Sequence, residues 1–149
     1  MREAHNFVAM RAVDLAQVMP LEQELYLFPW SRGNFTDSLD SGYSAWLLRV
    51  GEQLAAYAVM LLAADEAQLL NISVAPSCQR SGLGSSLLDH LRRLAIAAGA
   101  ARMFLEVRAS NSGAQAFYSR HGFRRIGERR GYYAAAHGRE HALVLELRL

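Results

Sequence analysis

The stretch Gln79-Arg80-Ser81-Gly82-Leu83-Gly84-Ser85 is where residue types and spacing first suggest chemistry. It lies between a strand-like run and the strongest helical run, so its backbone N–H groups collect at a helix N-terminus, where they lack partners and favour an anion. Gly82 and Gly84 let the backbone approach a diphosphate without interference from a Cβ, and Arg80 adds a positive charge. No Gly-Lys-Ser/Thr follows, which excludes a Walker loop, and the third glycine of a dinucleotide fingerprint would fall at Leu87. The plainer alternative is a glycine-rich turn that starts a helix. Further along, Glu106 sits in an alternating run: Met103, Leu105 and Val107 point one way, Phe104, Glu106 and Arg108 the other. Tyr118 follows Asn111 by seven residues, about two helical turns, so both belong to one helix face. On residue statistics alone Glu106 is a surface carboxylate paired with Arg108, Tyr118 a core aromatic beside Phe117, and Asn111 a helix cap. His137 and His141 are four apart, but Gly138 argues against a helix between them and no third ligand is evident, so no metal site is expected.

Periodicity supplies the elements that must hold these residues. Residues 7–11 read as a strand, followed by a helix that Asp14 caps and that carries Leu15, Val18, Met19, Glu22 and Leu25 before Phe28-Pro29-Trp30 breaks it. A short helix follows Asn34. Residues 44–50, 53–63 and 68–74 form an antiparallel meander around Gly51-Glu52 and Asp65-Glu66. Leu83, Leu87, Leu88, Leu91, Leu94, Ala95 and Ala98 share one helical face, ended by Gly99. A strand over 103–108, a helix over 111–121 with Asn111 as N-cap, and strands over 123–128 and 141–147 complete the chain. The order predicts an α/β (α+β) domain, one mixed, largely antiparallel sheet with helices on both faces, spanning residues 1–149.

Composition agrees with a single globular domain: 149 residues, 52% hydrophobic and 20% charged, exclude a disordered or fibrous chain. All the basic side chains are arginine, and the net charge of +2 gives little reason to expect direct nucleic-acid binding. Arg120, Arg124, Arg125, Arg129 and Arg130 form a basic run, most simply a solvated face. The one cysteine, Cys78, cannot form an internal disulfide, which suits a reducing cytoplasm. The first ten residues hold no apolar signal segment, and the longest apolar run, 54–64, is too short to span a bilayer, so neither export nor membrane attachment is expected.

Several stretches, in order, resemble one family nearly end to end. Gln79-Arg80-Ser81-Gly82-Leu83-Gly84 is similar to the cofactor motif of the GNAT acetyltransferases. Phe28-Pro29-Trp30-Ser31, Leu70-Asn71-Ile72-Ser73-Val74-Ala75-Pro76, Leu105-Glu106-Val107-Arg108-Ala109-Ser110-Asn111, Ala116-Phe117-Tyr118, Gly122-Phe123 and Tyr132-Tyr133 narrow the resemblance to the RimI-type ribosomal-protein-alanine N-acetyltransferases. Cys78 and Gly131 depart from the pattern, away from the expected chemistry.

The resemblance implies acetyl-CoA as cosubstrate and an N-terminal α-amine as acceptor, most simply the alanine of small-subunit ribosomal protein eighteen. It implies that the backbone of Ile72, Ser73 and Val74 pairs with pantetheine and that Arg80, Ser81, Gly82, Leu83, Gly84 and Ser85 hold the pyrophosphate. Asn111 would bond the cofactor beyond it. Glu106 becomes the general base and Tyr118 the general acid, while Pro29, Trp30 and Tyr132 border the acceptor groove. The chemistry needs an unprotonated amine: at pH 7 a terminal amine of pKa near 7.8 is about 14% neutral and a lysine amine about 0.04%, a gap of about 3.5 kcal/mol. An α-amine therefore asks far less of one glutamate. Two alternatives remain: a GNAT acting on other N-termini or a small amine, and a CoA-binding module without catalysis.

Overall fold

The computed structural model describes residues 4–149; Met1, Arg2 and Glu3, part of the amino-terminal segment read above, lie outside them. The chain runs β1 (His5–Ala9), helices α1 (Leu15–Leu25) and α2 (Arg32–Asp40), β2 (Ser44–Val50), β3 (Gln53–Ala63), β4 (Glu66–Val74), α3 (Leu83–Ala97), β5 (Arg102–Arg108), α4 (Ser112–Arg120), β6 (Arg124–Ala134) and β7 (Arg139–Arg148). The strands make one seven-stranded sheet in the order β1-β2-β3-β4-β5-β7-β6, antiparallel except where β4 meets β5. No described helix is long and apolar enough to cross a membrane.

β3 explains why helices cover both faces. Leu54 to Met60 is buried on both sides, which a strand tolerates only between two apolar layers. Ala56, Ala58 and Met60 meet Leu87, Leu88 and Leu91 of α3, while Tyr57 and Val59 meet Leu15, Val18 and Phe35 from α1 and α2.

Three local readings change. Asp14 makes no cap bond to α1; the chain enters through a 3-10 turn over Ala12–Asp14, which already gives Asp14 helical angles (φ −73°, ψ −17°). Its Oδ2 instead accepts the Arg11 backbone N–H at 2.8 Å, and its Oδ1 lies 3.6 Å from Arg49 of β2. The second helix starts at Arg32, ahead of Asn34, because Ser31 accepts the Asn34 N–H and Asn34 Oδ1 accepts the Ser31 N–H, a reciprocal cap. β6 runs six residues beyond the expected 128, to Ala134, with two register irregularities against β7.

Two histidines link burial to pH. The His90 ring on α3 stacks on Phe7 (4.1 Å) and meets Trp46 edge-on, and its Nε2 is buried without a partner. His121 ends α4, with Nε2 2.9 Å from Ser85 Oγ. Burial lowers the pKa of both, aided by Arg93 at His90 and by Arg92 and Arg120 at His121. Because the folded-state values lie below the unfolded one, near 6.5, the unfolded chain takes up protons first as pH falls. Stability is thus complete above about pH 6.5 and declines below it. Thermal melts at pH 7.5 and 5.5 should show a lower Tm at the acid value, and a His90→Phe, His121→Phe variant a smaller difference; an equal difference would remove these histidines as the cause.

Candidate active site

The parallel pairing of β4 with β5 covers only Glu66–Leu69 against Arg102–Leu105. Beyond it the strands separate, and the cause is local. β4 carries an extra residue, Leu70, between the partners Leu69↔Met60 and Asn71↔Val59, and such a bulge bends the strand that holds it. The bulge also turns the Asn71 and Ser73 side chains toward α1, while Ile72 and Val74 pack with the α3 layer.

The Ala75 N–H to Ala55 C=O bond fixes the alternation of the β3–β4 ladder. Ser73 is then the residue whose backbone pairs with Tyr57, and the backbone groups of Ile72 and Val74 face the gap left by β5. The Val74 carbonyl accepts from Gln79 Nε2 at 3.1 Å, and the Ile72 carbonyl has the Tyr26 hydroxyl 3.4 Å away. The edge between β4 and β5 therefore keeps N–H groups with which an added strand-like ligand can pair.

A cavity of about 600 Å³ fills the gap. Glu106, from β5, enters it at 12% side-chain exposure; Arg129 Nε lies 2.9 Å from its Oε1 in an ion pair, leaving Oε2 to take a proton. The expected partner, Arg108, is engaged elsewhere: it donates to Glu140 Oε1 (2.8 Å) and the Ala134 carbonyl (2.7 Å). Its guanidinium lies 4.4 Å from the Tyr133 ring and 5.2 Å from that of Phe28, joining two walls of the cavity. Arg129 reaches Glu106 because β7 lies between β5 and β6, pairing Val144 with Glu106 and the neighbouring Ala142 with Arg129. The basic run is thus partly committed, with Arg125 also paired to Glu128.

Tyr118 enters from α4, buried against Phe117 and Phe123. Burial raises its phenol well above the ordinary value, with Tyr26 and Tyr133 adding to the effect, so it stays protonated at neutral pH. Tyr133 is pushed up to about 12 by burial and the Glu106 charge. Asn111 caps α4, its Oδ1 accepting the Ala114 N–H at 3.1 Å, which leaves its amide N–H₂ free to donate toward the same cavity.

The anion loop continues from β4. Arg80 and Gly82 hold positive φ (62° and 82°), so the chain coils and delivers the first amides of α3 to one side. Ser81 Oγ donates to the Cys78 carbonyl and Ser85 bonds His121, bracing both ends.

Residues 15–123 match the acetyltransferase (GNAT) family. The chain belongs to the GNAT acetyltransferases. Curated relatives of this acetyltransferase include the [ribosomal protein bS18]-alanine N-acetyltransferases of Escherichia coli K12, 39% identical over 93% of this chain and 94% of that protein, and of Haemophilus influenzae, 34% identical over 91% and 93%. The crystal structure of the Escherichia coli ribosomal-protein-S18-alanine N-acetyltransferase superposes with a TM-score of 0.90 at 37% identity, covering 97% of this chain and 94% of that one. Arabidopsis thaliana Naa50, solved in complex with the bisubstrate analogue CoA-Ac-MVNAL, shares the fold at TM-score 0.84 and 18% identity, over 97% and 99% of the two chains.

In this GNAT acetyltransferase the cavity gathers six of the residues singled out from sequence: Trp30, Ile72, Glu106, Asn111, Tyr118 and Tyr132. Arg80 to Ser85 lie at the start of α3, and exposed Pro29 does not line the cavity. Glu22, Tyr26 and Asn71 line it as well and were not singled out as site residues. The signal for Glu22 was present: a carboxylate on the otherwise apolar face of α1 must have buried partners.

Proposed function

We propose that this acetyltransferase moves the acetyl group of acetyl-CoA to the N-terminal α-amine of an alanine, in the cytoplasm, with ribosomal protein bS18 as the protein acceptor. The observation that carries this reading is one cavity holding a half-paired carboxylate and a protonated phenol beside free strand backbone. The acceptor assignment draws on the relatives named above.

The residues present suit acetyl-CoA. The gap-facing backbone of Ile72 and Val74 would hold the pantetheine amides, the α3 amides and Arg80 the diphosphate, and Asn111 Nδ2 a further cofactor oxygen. When bound, it supplies an acetyl thioester: attack by the amine forms the C–N bond and breaks the C–S bond, leaving a thiolate that needs a proton. Glu106 Oε2 takes the proton of the incoming amine, directly or through a water, while Arg129 holds the other oxygen still. Tyr118, kept protonated by burial, supplies the proton to the thiolate. Phe28, Trp30, Tyr132 and Tyr133 wall the acceptor groove.

The test is mass spectrometry of enzyme and acetyl-CoA with a peptide beginning Ala-Arg, beside an N-blocked peptide containing lysine. Only the free N-terminus is expected to gain an acetyl group. The enzyme has no lysine of its own to compete. Modification of the lysine peptide alone, or of neither, would overturn the α-amine reading.

A further inference from the structure

Glu22 is 2% exposed, lines the cavity and is held by neutral donors. Its Oε2 accepts the Trp30 backbone N–H at 2.9 Å; its Oε1 accepts the Tyr57 hydroxyl at 2.8 Å and Asn71 Nδ2 at 3.1 Å. Asn71 Oδ1 in turn accepts from Ser73 Oγ at 2.7 Å, and Ser73 Oγ lies 2.5 Å from the Tyr26 hydroxyl. Every partner of this carboxylate donates to it, which sets the direction of the whole chain: Asn71 donates to Glu22, Ser73 to Asn71, and Tyr26 to Ser73. Trp30 and Tyr57 donate to the same group. Tyr26 and Trp30 flank Phe28 in the segment 26–31 that joins α1 to α2.

We propose that Glu22 is a positioning residue for the acceptor: its carboxylate is the sink of a directed hydrogen-bond chain that fastens both ends of the Tyr26-to-Trp30 wall to the bulged part of β4. The wall is thereby placed relative to the strand edge of Ile72 and Val74. This rests on the acceptor-groove reading above. Two of the fastening residues, Asn71 and Ser73, reach α1 only because of the extra residue in β4, so the distortion that opens the cavity also anchors its wall. A glutamine cannot replace the carboxylate without conflict, because its N–H₂ must face either the Trp30 N–H or the donors Asn71 and Tyr57.

The test uses Glu22→Gln, which keeps one acceptor oxygen, and Glu22→Met, which keeps length and removes both. Peptide KM is expected to rise by about 10-fold in Glu22→Gln and more in Glu22→Met, with acetyl-CoA KM within about twofold of the parent. Amide hydrogen exchange gives a readout independent of turnover: the Trp30 amide should exchange about 10-fold faster or more in Glu22→Gln, while the Ser73 and Tyr57 amides, paired within the sheet, keep their protection. If Glu22→Met does not fold, Glu22→Gln decides both measurements. Unchanged Trp30 exchange, or a rise of both KM values with uniformly faster exchange, would overturn the proposal. Should the parent acetylate no peptide, the functional reading fails, and the exchange comparison still decides the role of Glu22.

Discussion

Turnover should fall by about 10²-fold to 10⁴-fold in Glu106→Gln and in Tyr118→Phe, the range that loss of a placed acid or base produces. Both changes are nearly isosteric, and the structure indicates that neither should cost folding. In Glu106→Gln an amide oxygen can still face Arg129 Nε, which now lies 2.9 Å from Glu106 Oε1. In Tyr118→Phe the ring keeps the edge contacts with Phe117 and Phe123 at 5.2 and 5.4 Å and loses only the hydroxyl. Acetyl-CoA KM should barely move, because neither side chain belongs to the Arg80–Ser85 loop or to the backbone of Ile72 and Val74. The loss thus appears in kcat. Tyr133→Phe is the control: that phenol is also pushed up, to about 12, but it packs against Arg108 at the wall, so a much smaller loss is expected. Steady-state kinetics of the three variants decide the matter. Unchanged kcat in Glu106→Gln and Tyr118→Phe would remove both from the reaction, and an equal loss in Tyr133→Phe would move the proton donor to that residue.

The site was legible where one element's own period sets the geometry, and hidden where two elements meet. Alternation along 103–108 placed Glu106 opposite Met103, Leu105 and Val107, and those three are buried while Glu106 reaches the cavity. The seven-residue spacing of Asn111 and Tyr118 brought both to the same cavity. The partner of Glu106 was not legible, because Arg129 arrives across an intervening strand whose register depends on the whole sheet. The extra residue in β4 was equally hidden. Leu69-Leu70-Asn71-Ile72 contains no glycine to mark a bulge, and the offset comes from how β3 accepts its neighbour. β6 was underestimated for a related reason: its second half, Arg129 to Ala134, is mostly exposed and interrupted by Gly131, without apolar alternation, and is a strand because β7 pairs with it. Glu22 shows the opposite failure. Its position on the α1 face was read correctly, yet its charge there, which required Tyr57, Asn71 and Trp30 as partners, was passed over.

The two glycines of the anion loop should separate in experiment, although the sequence makes them look equivalent. Gly82 sits at φ +82°, and a side chain there is strained whatever the space around it. In the left-handed region a Cβ costs about 1–2 kcal/mol, and asparagine tolerates it better than a branched residue. The loop can relieve that strain only by re-routing, which swings the α3 amides away from the position the diphosphate needs. Gly84 has no such constraint: a Cβ there would meet Val74 Cγ2 at 3.5 Å and Phe117 Cζ at 3.6 Å, ordinary contacts on the protein side of the loop. Gly84→Ala also gains helix propensity of about 0.5–1 kcal/mol, since the residue lies in the first turn of α3. Acetyl-CoA KM is therefore expected to rise about 10-fold or more in Gly82→Val, with a smaller rise in Gly82→Asn. Gly84→Ala should keep its cofactor affinity and melt slightly higher than the parent. Calorimetric titration with CoA and thermal melts check each arm. Equal loss of affinity in Gly82→Val and Gly84→Ala would mean that the diphosphate needs bare backbone at both positions, and that Gly84 is set by ligand approach instead of by its contact with Val74 and Phe117.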